Sequence, residues 1–229
     1  MLGNKLITIE QAMKYFHDDM TLMYGGFGGV GNPPTLIDEI LQKGIKDITL
    51  IGNDAGFPDV GIGRLVTAER VKKMYTTHIG SNPNAGTLMQ LGKMDVEFFP
   101  QGIFAEKIRA GGTGIAGILT DVGMGTIVQE GKRIIEVDGK QCMMEKPLTA
   151  EVSIVYALKS DPFGNLIFDK SARNFNPLVA MAGDITIAEV EEIVELGELD
   201  PEAIVTSGVF VDYLVKSQGV SWQWAWEQK

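Results

Sequence analysis

The chain has 229 residues, 45% of them hydrophobic, so it can form one large α/β domain or two small ones with a substantial core. Its 20 Lys and Arg against 30 Asp and Glu give a formal net charge of −10, which leaves no basic field to hold a nucleic acid backbone or an anionic membrane. Cys142 is the only cysteine, the two histidines stand apart and no apolar run reaches the roughly 18 residues of a membrane span, so we expect a cytoplasmic protein with no disulfide, no metal site, and neither nucleic acid nor membrane as a partner.

The N-terminal part predicts a helix, a buried strand and a glycine-rich loop. Thr8–Gln11 forms a capping box, which favours a first helix, and Thr21–Tyr24 has the apolar character of a buried strand. Pro33 disfavours helical backbone at Asn32, so we expect Asn32 to cap a second helix, with Pro33 at its first position. The loop between strand and helix consists of Gly25, Gly26, Phe27, Gly28, Gly29, Val30 and Gly31.

This glycine loop is suited to bringing bare backbone against a ligand. Without Cβ atoms its N–H groups can approach an anionic or thioester ligand, and the helix that follows adds a favourable dipole. Gly26–Gly31 also matches the G-x-G-x-x-G fingerprint of dinucleotide-binding folds, with Asp54 about twenty residues further on. That match is weak, because the helix starts too late for the third glycine to pack inside it. A glycine-rich connector without a ligand is the simpler alternative.

Three more strands follow, each with a polar loop at its end. The predicted strands are Asp47–Ile51, Val71–Thr77 and Met94–Phe99, and the predicted helical stretches are Pro34–Lys43 and Ile103–Arg109. Strands that alternate with helices predict a parallel sheet, whose ligand-binding loops collect at the carboxyl ends of the strands. We therefore expect four loops to converge there. They contain Gly25, Asn53, Gly80 (in the loop Ile79–Gly86) and Gln101.

The second half contains a predicted antiparallel flap. Asp138-Gly139 is a strong two-residue turn signal between two of its short strands. The flap strands are predicted at Thr126–Gln129, Arg133–Val137 and Gln141–Glu145. Strands at Val152–Ala157 and Asp184–Glu189 then return to the main sheet, so residues 1–218 are predicted to form one domain with an insertion.

All three tryptophans of the chain lie in a predicted C-terminal tail, residues 219–229. Trp222, Trp224 and Trp226 alternate along the sequence, so in extended backbone they share one face. Such an aromatic strip usually seeks a partner surface, and a disordered tail is the alternative.

Several separate motifs occur in the order that is typical of one enzyme family. They are Gly25-Gly26-Phe27 with Gly31 and Pro33, Gly61-Ile62-Gly63, Ile79–Pro83, Pro100-Gln101-Gly102, Arg109–Gly117 and Ala172–Pro177. From about Leu6 to Lys216 the chain resembles the alpha (A) subunit of the bacterial 3-oxoacid CoA-transferases. The resemblance implies an open, mainly parallel α/β sheet flanked by helices, with the small antiparallel flap beside it.

The resemblance also implies a chemistry. Enzymes of this family move coenzyme A between two short carboxylic acids by a ping-pong mechanism, through a glutamyl-CoA thioester on the beta subunit. We therefore expect no catalytic residue in this chain, a beta subunit as its partner in an α2β2 heterotetramer, and no cofactor besides the coenzyme A thioester substrate. No mid-chain glutamate has the flanking pattern of the nucleophile; these are Glu97, Glu106, Glu130, Glu136 and Glu145. Acetate, acetoacetate, butyrate and propionate all remain open as the acid.

The same resemblance assigns a substrate pocket to the predicted loops. The backbone of Gly25–Gly31 would line it with Phe27 as an apolar lid, which would exclude water from the thioester. Gln101 would hydrogen-bond the substrate carboxylate or acyl oxygen, with Asn53 in the adjacent loop. Both amides also have a structural interpretation, since amides in strand-end turns often bond only their own backbone.

Other residues near these loops have weaker assignments. Gly112 and Gly114, in the second glycine run, either face the coenzyme A side or allow the flap to pack closely. His78 ends a strand without an evident carboxylate partner, so a general-base role is not expected. Ile103 stands where the family pattern has Thr or Asn, which leaves the polar contacts of the substrate open.

Two other functions fit parts of the pattern. A sugar-phosphate isomerase on a related fold would use the glycine loop to grip phosphate, but the sequence offers no convincing acid/base pair for aldose–ketose chemistry. A regulatory subunit that binds a small molecule would keep the pocket without the chemistry. A co-purifying second chain of similar size would separate these possibilities from a transferase subunit.

Overall fold

The computed structural model describes residues 3–220. The α-helices are α1 Ile9–Ala12, α2 Pro34–Lys43, α3 Gly63–Thr67, α4 Pro83–Gln90, α5 Gln101–Thr113 and α6 Asn176–Met181. The strands are β1 Thr21–Tyr24, β2 Ile48–Ile51, β3 Val71–Thr76, β4 Asp95–Phe98, β5 Ile118–Thr120, β6 Ile134–Val137, β7 Lys140–Glu145, β8 Ala150–Ser160, β9 Leu166–Ile167, β10 Gly183–Ile193 and β11 Tyr213–Lys216. No helix within residues 3–220 has the length and apolarity that crossing a membrane requires.

The main sheet is parallel along a path of strands in the order β11-β10-β8-β1-β2-β3-β4. In the centre of the sheet Leu22 of β1 lies between Leu50 of β2 and Val152 of β8. The short strand β9 pairs antiparallel with β8. The chain runs outward from β1 to β4 and then returns to the other side of β1, so the strand order reverses at β1, where ligand crevices of open α/β sheets form.

Helices cover both faces of this sheet, because successive side chains of a strand point to opposite faces. On one face Leu22 packs in a core that includes Ile40 of α2. On the other face Met23 packs in a second core with Ile108 of α5 and Val179 of α6. Each of these fully buried aliphatic side chains contributes about 1.5–3 kcal/mol relative to an exposed one.

A buried carboxylate ties α2 to the C-terminal edge of the sheet. Glu189 of β10 has no exposed surface and accepts hydrogen bonds from Thr35 Oγ1 at 2.7 Å, the Leu36 N–H at 3.1 Å and Ser217 Oγ at 2.6 Å. Burial raises the pKa of Glu189, and these hydrogen bonds offset that effect only in part. The first turn of α2, which follows the glycine loop, is therefore fixed to the chain just after β11.

Most of the predicted architecture is confirmed. The mainly parallel α/β sheet is present, β1 and α2 have the predicted bounds, and β2, β3 and β4 lie within the predicted strands. The flap is also confirmed as a separate antiparallel sheet of β5, β7 and β6. The predicted tail falls almost entirely outside the described residues, since they end at residue 220.

One flap strand was assigned to the wrong residues. Thr126–Gln129 is not a strand, because Ile127–Gln129 forms a 3₁₀ helix in which the Thr126 hydroxyl accepts the N–H of Val128 at 3.2 Å. The strand that completes the flap is β5, which pairs antiparallel with β7. A short apolar run is compatible with a strand or with a helix. The local pattern favours a strand here, but the hydrogen bond from the Val128 N–H to the Thr126 hydroxyl stabilises the start of a 3₁₀ helix instead.

Two helix predictions also need correction. Pro33, with extended backbone, takes the N-cap position of α2 and Pro34 begins the helix. The reason is that Asn32 is used elsewhere: its amide donates to the Gly25 carbonyl at 2.8 Å and its Oδ1 accepts the N–H of Ile62 at 2.9 Å. The second correction is α4, Pro83–Gln90, which begins halfway through the predicted loop Ile79–Gly86.

Candidate active site

The loops after β1, β2, β3 and β4 converge at one end of the sheet, as predicted, around an open pocket of about 700 Å³. This volume lies in the usual range for small ligands, roughly 300–1,000 Å³. Phenylalanine rings form apolar walls, and side-chain amides, hydroxyls, a carboxylate and an imidazole form the polar end. The lining residues are Phe27, Gly28, Asn53, Asp54, Phe57, Thr77, His78, Ser81, Phe99, Pro100 and Gln101.

The glycine loop forms a tight hairpin whose tip lies at this pocket. The N–H of Phe27 donates to the Val30 carbonyl at 2.9 Å, and the N–H of Val30 donates back at 3.1 Å. Between them Gly28 and Gly29 have φ values of 57° and 93°, the positive angles that a two-residue turn of this kind requires at both positions. The Phe27 ring is 48% exposed, so the hairpin presents this ring and the Gly28 backbone to a ligand.

The remaining glycines of the loop allow close packing, and the backbone cradle around the ligand stays a prediction. The N–H of Gly25 is used inside the fold, where it donates to the Ile154 carbonyl at 2.9 Å. Added Cβ atoms would collide with neighbouring groups: at Gly25 with Asn176 Oδ1 at 1.8 Å, at Gly26 with Asn32 Nδ2 at 1.8 Å, at Gly29 with Val60 Cγ1 at 2.7 Å and at Gly31 with the Ala172 carbonyl at 2.6 Å. Val30 lines a neighbouring pocket of about 460 Å³.

Two asparagines of the Ala172–Pro177 motif hold the hairpin from behind. Asn174 Nδ2 donates to the Val30 carbonyl at 2.9 Å. Asn176 Nδ2 donates to the Gly31 carbonyl at 3.0 Å. The motif and the glycine loop, far apart in sequence, therefore form one unit in which the absence of side chains on the loop makes room for the asparagines.

Asp54 lies at the centre of a hydrogen-bond network at the polar end of the pocket. Its carboxylate, in a residue that is 4% exposed, accepts the Gly28 N–H at 2.8 Å, the Gly56 N–H at 2.8 Å and the Asn53 amide at 2.9 Å. Asn53 Oδ1 in turn accepts a hydrogen bond from Gln101 Nε2 at 2.8 Å. The two amides predicted at the pocket are thus in direct contact, and the carboxylate that anchors them was missed as a site residue.

Tyr24 supports this network from the end of β1. Its hydroxyl donates to the backbone carbonyl of Asp54, and its ring leaves no room for a side chain at Gly52, where a Cβ would lie 2.0 Å away. Burial raises the pKa of Tyr24 well above its usual value, and the nearby Asp54 charge raises it further. Tyr24 therefore remains a neutral donor at any physiological pH. Thr77 Oγ1 ties the same loop to the end of β3 by donating to the Asn53 carbonyl at 2.7 Å.

Comparison with protein families shows which family this chain belongs to. A model of the coenzyme A transferase family matches residues 6–217, nearly all of the described chain. The chain belongs to the coenzyme A transferase family.

Curated relatives of this coenzyme A transferase match it over nearly their full length. It is 54% identical to a probable coenzyme A transferase subunit alpha of Bacillus subtilis (strain 168), over 97% of this chain and 98% of the relative. It is 48% identical to the acetate CoA-transferase subunit alpha of Escherichia coli (strain K12), over 95% and 99%. It is 40% identical to the acetoacetyl-CoA:acetate/butyrate CoA transferase alpha subunit of Clostridium acetobutylicum, over 94% and 99%.

Solved structures share the fold of this transferase. An acyl-CoA transferase of Escherichia coli O157:H7 superposes with a TM-score of 0.83 at 24% identity, over 96% of this chain and 48% of that one, so the present chain spans about half of the larger polypeptide. Glutaconate coenzyme A-transferase of Acidaminococcus fermentans superposes with a TM-score of 0.77 at 21% identity, over 93% of this chain and 75% of that one. At these identities the likeness shows the fold.

Among the described residues of the transferase, no glutamate lines the 700 Å³ pocket. Glu145 of the flap is 2% exposed and forms ion pairs with Lys107 Nζ at 2.6 Å and with Lys132. Burial raises the pKa of Glu145, but the hydrogen bonds from both lysines outweigh it and lower the pKa. Lys107 Nζ also lies 4.6 Å from the centroid of the Phe99 ring, so this ion cluster supports one wall of the pocket.

The second glycine run is not among the described lining residues of this pocket, and its assignment to the coenzyme A side stays a prediction. Gly112 is within α5, and a Cβ there would lie 2.5 Å from the Cβ of Met181, so its small size allows α5 to pack on α6. Gly114 is the C-cap of α5 with a φ of 72°. His78 also lines the pocket, just after β3.

Besides Asp54, the residues missed by the sequence analysis are pocket-lining side chains on the loops after β2, β3 and β4, and one of them had a detectable signal. Gly26-Phe27-x-x-Val30-Gly31 is repeated after the next strand as Gly56-Phe57-x-x-Val60-Gly61. In the structure both segments form a short bridge, between Phe27 and Val30 and between Phe57 and Val60. The repeat therefore predicts a second phenylalanine beside the first. The missed lining residues are Phe57, Thr77, Ser81, Phe99 and Pro100.

Proposed function

We propose that this chain is the alpha subunit of a heteromeric CoA-transferase that moves coenzyme A between a short-chain acyl-CoA and a short carboxylic acid of the acetate, acetoacetate or butyrate class. It acts in the cytoplasm with a beta subunit, in an α2β2 heterotetramer. The reaction follows a ping-pong course through a glutamyl-CoA thioester on the beta subunit. It needs no cofactor besides the coenzyme A thioester itself.

The observation that carries this proposal is a pocket with hydrogen-bond donors and apolar walls but, among its described lining residues, no glutamate and no free carboxylate. Asp54 is the only carboxylate among the described lining residues, and both of its oxygens accept hydrogen bonds from the protein. Cys142, on the flap strand β7, does not line the pocket. The chain therefore supplies binding and polarisation, and the attacking group has to come from another chain. Three relatives matched over 98–99% of their length carry the designation of alpha subunit, which supports the same division.

Each side of the pocket has a role in this chemistry. Gln101 places a side-chain amide at the polar end, where an N–H donor stabilises the negative charge that develops on the acyl oxygen. The rings of Phe27, Phe57 and Phe99 exclude water, which protects a thioester from hydrolysis.

The charge of the pocket favours a short acyl chain without a second carboxylate. No Lys or Arg belongs to its described lining, so a second carboxylate or a phosphate group inside this pocket finds no counter-charge among those residues. The lack of a cation in this described lining also argues against a sugar-phosphate isomerase, and four N–H groups of the glycine loop, those of Gly25, Phe27, Gly28 and Val30, are bonded within the fold.

The test is reconstitution of the enzyme from its two chains. The purified chain alone should show no transfer of coenzyme A, and the complex with the beta subunit should transfer it from acetoacetyl-CoA or butyryl-CoA to acetate, propionate or butyrate. Parallel lines in double-reciprocal plots at several fixed acid concentrations mark a ping-pong mechanism. Succinate serves as the dicarboxylate control. Intersecting lines, or full activity of the isolated chain, would contradict the proposal.

A further inference from the structure

We infer that Asp54 is a positioning residue of the acyl-transfer site, which sets the direction of the Asn53–Gln101 amide pair so that Gln101 offers an N–H to the substrate. The inference rests on the proposed function and adds a residue to it. Asp54 does not touch the reacting atoms in this account. It acts through Asn53, to which it is bonded at 2.9 Å.

The direction follows from what each group can donate. A carboxylate only accepts hydrogen bonds, so the Asn53 amide has to turn its Nδ2 toward Asp54. Its Oδ1 then faces Gln101, and Gln101 has to turn its Nε2 toward Asn53, at 2.8 Å. The amide nitrogen of Gln101 carries two hydrogens, of which this contact uses one. The second N–H of this pocket-lining residue is left as a donor for the acyl oxygen.

Without Asp54 the only other described side-chain partner of the Asn53 amide besides Gln101 would be Thr77 Oγ1, at 3.2 Å, and a hydroxyl can donate or accept, so it would leave the direction of the amide pair open. The oxygen and nitrogen of an amide have nearly the same shape, so a neutral partner at position 54 would permit the opposite arrangement. In that arrangement Gln101 would point its carbonyl toward Asn53 or toward the substrate, and a carbonyl repels an oxyanion. The charge of Asp54 thus selects the state in which the pocket donates, although Asp54 is 4% exposed and two residues away along the hydrogen-bond chain.

The fold holds Asp54 in a fixed position for this purpose. The Tyr24 hydroxyl bonds its backbone carbonyl, and its neighbour Ala55 donates an N–H to the His78 carbonyl at 3.0 Å. The remaining acceptor sites of the carboxylate take the N–H groups of Gly28 and Gly56. Asp54 therefore connects the tip of the glycine hairpin, which carries Phe27, to the amide pair across the pocket.

The test uses the nearly isosteric variant Asp54→Asn in the complex with the beta subunit, with kcat and KM measured separately. The variant places an amide against Asn53 and lets the pair reverse. We expect kcat to fall about 10²-fold, the scale of one lost oxyanion donor, with KM for the acid changed by less than about threefold. Wild-type kcat in the variant would overturn the inference.

A double-mutant cycle separates positioning from plain structural support. If Asp54 acts through Gln101, then Asp54→Asn in a Gln101→Ala background should lower kcat by less than about threefold further, because the donor is already gone. Multiplication of the two separate losses would assign Asp54 a structural role and overturn the inference. Asn53→Ala leaves the bonds from Asp54 to Gly28 and Gly56 in place, and it should lose kcat like Gln101→Ala; this variant gives the answer if Asp54→Asn does not assemble.

Recovery of kcat by a compensating substitution provides a second test. Combining Asn53→Asp with Asp54→Asn moves the carboxylate one position along the relay, where it again accepts from Gln101 Nε2. This pair should regain at least about tenfold of the kcat lost in Asp54→Asn, whereas a role limited to holding Gly28 would give no recovery. An inactive wild-type complex would overturn the proposed function itself. An active wild type with additive variants and no rescue would overturn the Asp54 assignment alone.

Discussion

Replacing Gln101 with Ala separates the role of this residue in catalysis from its role in the fold. Gln101 is the exposed first residue of α5, and its described side-chain hydrogen bond is the one to Asn53 at 2.8 Å. Losing one neutral hydrogen bond costs about 0.5–1.5 kcal/mol of stability, and no core packing is lost. Losing one oxyanion donor costs about 2.7–4 kcal/mol of transition-state stabilisation, or roughly 10²–10³-fold in kcat.

The assay is initial-rate transfer by the two-chain complex at saturating acyl-CoA, with a urea melt of the same preparation. We expect a kcat at least about 10²-fold below that of the wild type, with a free energy of unfolding lowered by no more than about 1.5 kcal/mol. Gln90→Ala, at the exposed end of α4, is the matched control and should change neither quantity. A Gln101→Ala enzyme within about twofold of wild-type kcat would remove Gln101 from the site and refute the reasoning.

Four further predictions concern the loop, the two buried carboxylates and the tail. Gly31→Val should abolish transfer and destabilise the hairpin, because Gly31 has a φ of 78° and its Cβ would lie 2.6 Å from the Ala172 carbonyl; an active, equally stable variant would contradict this. Glu145→Gln should cost about 3–5 kcal/mol at pH 7 and less as the pH falls below the ordinary glutamate pKa, because the pKa of Glu145 is lowered in the fold and its stabilisation is lost on protonation. Glu189→Gln should show the opposite pH dependence. Because the pKa of Glu189 is raised in the fold, its contribution to the free energy of unfolding is present below the ordinary glutamate pKa and is lost as the pH rises, so in melts the stability difference between wild type and variant should shrink toward high pH. Deleting residues 221–229 should weaken assembly with the beta subunit more than folding if the tryptophan strip docks there, and an unchanged elution volume with unchanged stability would leave it a mere tail.

The elements of the main sheet were predictable because local pattern and tertiary environment agree in them. β1 is a short apolar run, and α2 combines an apolar face with prolines at its start and Gly44 at its end in the left-handed conformation. In β5 the local pattern and the tertiary environment disagree. Ile118–Thr120 has no alternation of apolar and polar residues, and it becomes a strand by pairing with β7. Pairing of this kind depends on residues more than twenty positions away and leaves no local signal.

At the site, the sequence indicated the loops and the two amides but not what holds them. Asn53 and Gln101 stand at strand ends, where polar residues are expected to serve a ligand. In the sequence Asp54 stands out only as the acidic residue after a dinucleotide-type glycine fingerprint, because one of its partners, the Gly28 N–H, lies on another loop. The packing role of Gly25 and Gly31 leaves no local signal, because their packing partners, Asn176 and Ala172, lie more than 140 residues further along the chain.

The claim that this chain is the half of a transferase without the nucleophile can be tested by locating the covalent intermediate. The two-chain complex is incubated with acyl-CoA, the thioester is reduced with borohydride, and both chains are digested and analysed by mass spectrometry. The account predicts a single reduced glutamate on the beta subunit and none on this chain. A reduced glutamate on this chain, at Glu145 or elsewhere, would contradict it.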